Sequence, residues 1–127
     1  MVAYDATTED VTVTVRPIYL DEHSNVLEGR FVFAYIIEVV NDGAQEIQLL
    51  RRQWVIRDSS GKVQEVEGAG VVGQQPVIAA GEKHVYHSFC IIETFEGTME
   101  GTYLMERENG DRFRARIPSF HLRALAN

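Results

Sequence analysis

The chain is 127 residues long, the length of one ordinary domain, and residues 1–127 are read as a single unit. Hydrophobic residues make up 45% and charged residues 24%, a globular composition that excludes disorder as the default. Twelve Lys and Arg stand against 19 Asp and Glu, a net charge of −7, which argues against nucleic acid and against an anionic membrane surface as partners. The single cysteine, Cys90, excludes an internal disulfide and a zinc site built on thiolate pairs. The opening run Met1-Val2-Ala3-Tyr4-Asp5 lacks the basic and apolar regions of a signal peptide. No stretch approaches the ~20 apolar residues of a membrane span. The expectation is a cytoplasmic protein, with transport excluded as its direct activity.

The dominant period along the chain is two. Val11, Val13 and Val15 alternate with Thr12, Thr14 and Arg16, which predicts a half-buried strand running up to Pro17. A polar loop follows through Asp21 and Asn25, with room for a short helical turn near Asp21. Phe31 to Val40 places Phe31, Phe33, Tyr35, Ile37 and Val39 on one face; the opposite face is nearly as apolar, which predicts a central strand. Asn41-Asp42-Gly43 reads as a reversal. Two further strands are expected at Ile47–Leu50 and Gln53–Arg57, the second with Trp54 in the core. A return at Lys62–Val66, a glycine-rich segment and a strand over Lys83–Cys90 come next.

The last two strands, Thr98–Arg107 and Asp111–Ile117, read as a hairpin. A two-residue Asn109-Gly110 loop would set Arg107 against Arg112, so like charges would meet. A three-residue loop pairs Met105 with Phe113 and Glu106 with Arg112, and puts Gly110 in a left-handed bulge position. The residues from 1 to 10 and from 124 to 127 are expected to be loosely ordered. Seven to eight short strands with turns roughly every 8–12 residues predict an all-β fold, an antiparallel β-sandwich.

The chemistry-bearing patterns are sparse. Gly68-Ala69-Gly70-Val71-Val72-Gly73 matches G-x-G-x-x-G, but a dinucleotide site needs a helix behind the glycines. Pro76 and the β-branched pair Val77-Ile78 build none, so that site is excluded. Gly68, Gly70 and Gly73 are left as a structural connection or as an anion-holding nest of amides. His84 and His87 are three apart on a strand and face opposite ways, so no metal site and no cofactor is expected. Cys90, between Phe89 and Ile91, reads as a small buried hydrophobe rather than an activated thiolate. Arg112, Arg114 and Arg116 form a basic stripe, and Arg51, Arg52 and Arg57 add a second cluster. Each is either a solvated face with cross-strand partners or a recognition patch for an acidic protein surface or a phosphorylated ligand.

Several blocks together resemble the ApaG family. They are Val15-Arg16-Pro17-Ile18-Tyr19-Leu20, Arg30-Phe31-Val32-Phe33-Ala34-Tyr35 and Gln48-Leu49-Leu50-Arg51-Arg52-Gln53-Trp54, followed by the glycine segment to Pro76, Met99-Glu100-Gly101-Thr102-Tyr103 and Ile117-Pro118-Ser119-Phe120. The resemblance covers about residues 11–122. It implies a fibronectin type III-like, immunoglobulin-like sandwich, a use as an interaction module, and a link to cobalt resistance and magnesium efflux that carries no secure biochemical activity. Ala69 stands where the family usually has Glu, which removes the carboxylate a cation-bridged pyrophosphate would want.

The expected function is therefore a non-enzymatic protein-binding module with an unknown protein partner, using a sheet face or an edge strand. The runner-up is a pyrophosphate or nucleotide held at Gly68, Gly70 and Gly73. A homodimer stays open.

Overall fold

Two antiparallel sheets pack face to face in the computed structural model, which describes residues 2–124. The strands in chain order are β1 (Tyr4–Thr8), β2 (Val11–Tyr19), β3 (Phe31–Asn41), β4 (Ile47–Asp58), β5 (Val63–Ala69), β6 (Val77–Ile78), β7 (Lys83–Ile92), β8 (Glu96–Arg107) and β9 (Arg112–Arg123). Single 3-10 turns at Asp21–His23 and Val26–Glu28 interrupt the path between β2 and β3. The first sheet runs β1-β2-β3-β7 and the second β5-β4-β8-β9, with β6 also beside β4. This is the arrangement of a fibronectin type III-like sandwich with an added first strand.

The nine strands differ from the expected seven to eight in two instructive places. First, the N-terminal residues expected to be loose form β1, whose Tyr4 pairs with Val15 and whose ring lies 6.2 Å from that of Phe120. Burial of an aromatic side chain orders a segment whose polar composition suggested a tail. Pro17 does not end β2, because it lies beyond the last β1 pair and β2 has a neighbour on one side only there. Second, the strands expected at Ile47–Leu50 and Gln53–Arg57 are one strand, β4, carrying a β-bulge at Leu50. At the other end of the chain, Ala124 is buried and donates its amide to the Phe95 carbonyl at 3.1 Å. The remainder of the expected C-terminal tail lies outside the described residues.

The bulge has a parity reason. Leu49 and Trp54 are an odd number of residues apart, so an uninterrupted strand would point them to opposite faces. Leu50 is the extra residue, with Leu49 opposite Met105 and Arg51 opposite Leu104. Leu49 and Trp54 thus both enter the core. The same device recurs in β9, where the shift between the pairs Met99–Phe120 and Gly101–Ile117 falls at Pro118-Ser119, so Ile117 and Phe120 both point inward.

Trp54 is 3% exposed. Its place in the core is as the sequence predicted, and its ring meets Phe120 edge-on at 6.0 Å and Tyr35 of the other sheet at 5.5 Å, so it joins the two sheets. The final hairpin also has the expected register. Met105 faces Phe113, Glu106 faces Arg112, the Arg107 amide donates to Asp111 O at 2.8 Å, and Gly110 has φ +89°. Asn41 is the one deeply buried polar side chain of the central strand. Its Nδ2 donates to Gln45 O at 2.8 Å and Ile78 O at 3.0 Å, and its Oδ1 accepts from the Gly43 amide. Full partnering is what makes that burial tolerable.

Trp54→Ala empties the centre of this aromatic cluster and is expected to cost about 3–5 kcal/mol. Thermal or urea unfolding of the variant should show loss of the cooperative transition or a large downward shift. A melting point within a few degrees of the parent would place the indole outside the core.

Candidate functional site

The two long edges of the sandwich differ. On one, Tyr4 of β1 packs on Phe120 and the Arg116 amide donates to Thr8 Oγ1 at 3.0 Å, which closes the gap between the sheets. On the other, β7 ends the first sheet and β5 ends the second. The space between them is stopped by the segment after β5, and the candidate site lies there.

That segment is not the single loop its glycines suggested. Gly68 and Ala69 belong to β5, with Gly68 opposite Arg52. The Gly70 amide donates to Leu50 O at 2.8 Å. Val71 and Gln74 then exchange backbone hydrogen bonds of 2.7 and 3.0 Å around Val72-Gly73. Val72 has φ +46° and Gly73 φ +76°, so this is a two-residue turn with both central residues left-handed. The result is to drive Val71 into the core at 1% exposure while Val72 is left 65% exposed. A β-branched residue in that region is strained. The Val72 and Gly73 amides have no protein acceptor among the described residues.

The bulge at Leu50 gives β4 a second consequence here. Arg51 faces solvent, but Arg52 shares the inner side with Tyr103 and Trp54. Arg52 Nη1 donates to Ala69 O at 3.1 Å and Gly70 O at 3.0 Å, tying the glycine turn to β4. No carboxylate among the described residues lies within ion-pairing distance of it. By contrast Arg16, Arg57, Arg107 and Arg112 each have a glutamate partner. A Cβ on Gly68 would stand 2.8 Å from Arg52 Nη1, so glycine there makes room for the guanidinium.

Around Arg52 the cleft is lined by Tyr35, Trp54, Val71, Val72, Gly73, Tyr86 and Ser88 and encloses about 200 Å³. Tyr35 stands opposite Ser88 in the β3–β7 register, and the hydroxyls of Tyr86 and Tyr103 share a hydrogen bond. Burial pushes all three phenols above their usual range, so they stand as neutral hydroxyls at any physiological pH. A second groove of about 260 Å³ runs along the free edge of β7 between His84, Val85, Tyr86 and His87 on one side and Val71, Val72 and Gln74 on the other. The two spaces share Val71, Val72 and Tyr86. Sequence reasoning places Arg52 only in a cluster with Arg51 and Arg57, because nothing short of the bulge turns it inward.

On the outer face of the first sheet, β7 shows Val85 at 52%, Phe89 at 59% and Ile91 at 44% exposure. In register behind Ile91 and Phe89 stand Val32 and Ala34 of β3, Ile36 lies opposite His87, and Glu38 lies opposite Val85. Glu38, bridged to Lys83 at 3.2 Å, supplies a polar rim. β5, the corresponding edge of the other sheet, carries Glu65 and Glu67; β7 carries no acid at all.

The arginine stripe sits elsewhere. Arg112, Arg114 and Arg116 are exposed on the outer face of β9. Arg112 Nε donates to Glu106 at 2.8 Å and Arg114 Nη1 to Thr102 Oγ1 at 3.4 Å. The structure therefore does not bring them together with Gly68, Gly70 and Gly73. His84 lies on the inner side of β7 and His87 on the outer. No group of three or more His, Cys, Asp or Glu side chains among the described residues has metal-holding geometry. Cys90 is buried and its thiol is pushed up to about 12 by desolvation.

The ApaG domain profile matches residues 21–107. Proteins named ApaG from Paramagnetospirillum magneticum and a Methylobacterium species are 50% and 48% identical over 119 residues, spanning 94% of this chain and 92% of each relative. The crystal structure of a Bordetella pertussis protein named ApaA superposes with a TM-score of 0.89 at 43% identity, covering 93% of this chain and 96% of that one. The C-terminal domain of Wzt, at 10% identity and TM-score 0.57, shares the fold alone.

Two outcomes test this geometry. A Cβ at Gly70 would lie 1.9 Å from Gln74 O, whereas at Gly73 it would meet nothing within 4 Å. Gly73→Ala is expected to lose about 1–2 kcal/mol to its left-handed backbone, and Gly70→Ala more, an order that thermal unfolding reads directly. Cys90 should resist a thiol reagent at pH 8 in the native protein and react at once in denaturant; rapid native labelling would mean the β7 end opens.

Proposed function

This chain belongs to the ApaG domain family, and from that premise we propose that it is a non-enzymatic protein-binding module that docks its partner on β7. The single observation behind the reading is the edge of β7, which carries no acid and exposes Val85, Phe89 and Ile91. Edge strands in stable sheets are normally blunted by charge, proline or cover, because their free N–H and C=O groups recruit further strands. β5 has its glutamates. β7 has only Lys83 at its start, and its Val85, Phe89 and Ile91 stand in solvent.

An extended partner segment would pair with the β7 backbone and lay its side chains on Phe89 and Ile91, gaining main-chain hydrogen bonds and apolar burial together. Burial of apolar surface contributes about 25 cal/mol per Å², and roughly 1,000 Å² in all is needed to outweigh the costs of association. Any link to cobalt or magnesium then passes through the partner. A second reading, a small anion held at the glycine turn, rests on the unengaged amides of Val72 and Gly73. It would show as a ligand-dependent rise in melting temperature with pyrophosphate or nucleotides.

Val85→Lys with Phe89→Asp should abolish partner capture from a bacterial extract while leaving stability within about 0.5 kcal/mol, since both side chains are at the surface. Arg112→Glu with Arg114→Glu should leave capture intact. Capture unaffected by the first pair and lost with the second would move the docking surface to the arginine stripe on β9. Sedimentation of the isolated protein tells a second copy from a foreign partner.

A further inference from the structure

We propose that the Arg52 cleft takes the C-terminal carboxylate of a peptide segment lying along β7. This rests on the reading of β7 as the docking edge and specifies which part of the partner is recognised.

Charge complementarity decides the ligand class. Arg52 is half-buried and lacks a carboxylate partner among the described residues, whereas Arg16, Arg57, Arg107 and Arg112 each have one. Its Nη1 is committed to two carbonyls. Nη2 has no protein acceptor among the described residues. A guanidinium removed from bulk water interacts strongly with an anion, and its remaining N–H groups are laid out to meet a carboxylate. The surrounding donors suit the same anion: the hydroxyls of Tyr35, Ser88 and Tyr86 line the cleft, and the Val72 and Gly73 amides stand at its rim without acceptors. One guanidinium answers one negative charge. A phosphate monoester carries about −1.5 to −2 at pH 7 and would face an excess of charge in a protein whose net charge is already −7.

Continuity with the groove along β7 decides that the carboxylate ends a peptide. That groove passes His84 to His87 and opens into the cleft through the shared residues Val71, Val72 and Tyr86. A strand added to β7 over His84–His87 therefore reaches the Arg52 cleft with its terminus. In such a mode the backbone pairs without regard to sequence, and the charge fixes where the peptide stops. The strain at Val72 fits the same account, because the turn that holds Val71 down also leaves two amides free at the cleft mouth.

The test uses the full chain and an array of random hexapeptides rich in Val, Ile, Thr and Phe, synthesised once with free C-termini and once as C-terminal amides. Binders on the first array are expected to weaken at least ten-fold on amidation. Their titration should shift the amide resonances of Val72, Gly73 and residues 84–88. Arg52→Gln should abolish the difference between acid and amide. Because that variant also releases the Ala69 and Gly70 carbonyls and can weaken the fold, the acid-to-amide ratio on the unaltered protein is decisive by itself. Equal binding of both forms with shifts in β7 overturns the carboxylate site and leaves the β7 edge standing. Peptides that bind in neither form overturn both.

Discussion

Side chains in a sandwich are sorted by a period of two, and a strand can satisfy both sheets only while that period holds. In this protein it fails twice in places the core cannot do without. Leu49 and Trp54 are separated by an odd step, and so are Ile117 and Phe120. Each break is repaired by a local shift of register, at Leu50 in β4 and at Pro118-Ser119 in β9. The contact between Trp54 and Phe120 exists only because both repairs are made. The same extra residue at Leu50 turns Arg52 inward and so creates the electrostatic feature of the cleft.

A sandwich of two open sheets has two long sides to close. The β1–β9 side is closed by packing, through Tyr4 on Phe120 and a hydrogen bond from Arg116 to Thr8. The β7–β5 side is closed by a plug. Val71 fills the core beneath a turn whose residues at 70, 72 and 73 all take positive φ. Glycine at 70 and 73 meets that demand without steric penalty, and Val72 meets it under strain. A plug of this kind leaves polar backbone groups at its rim, whereas a packed strand uses them in its ladder. The candidate site gathers on the plugged side for that reason.

The buried hydroxyls obey a related constraint. Tyr35, Tyr86 and Tyr103 lie between the sheets near Arg52, and each has a hydroxyl or guanidinium neighbour to offset the loss of water. An interior of this composition is costly unless every group is partnered, and no buried side-chain nitrogen or oxygen among the described residues lacks a partner. Cys90, in contrast, has its thiol raised by desolvation with no opposing charge to stabilise a thiolate, which leaves it a packing residue.

The sequence by itself determined the class of fold, the central strand β3, the place of Trp54 in the core and the register of the last hairpin. These follow from local rules: alternation, turn residues and the avoidance of Arg107 against Arg112 are all readable within a dozen neighbouring positions. The G-x-G-x-x-G spelling was legible too, but its meaning was not. Whether those glycines form a nest, a loop or a plug depends on what approaches them, here Arg52 and Gln74. Tertiary structure alone decided that β1 is a strand, since Tyr4 orders it by packing on Phe120 at the far end of the chain. It alone decided that β4 is continuous, since the extra residue at Leu50 is accommodated by the register β8 offers on either side of it, a partner far away in the sequence. Arg51 and Arg52 look equivalent in the sequence. One faces water and the other the cleft, because the direction of a side chain on a strand is fixed by the count of residues from the last bulge, and only the packed sheets set that count.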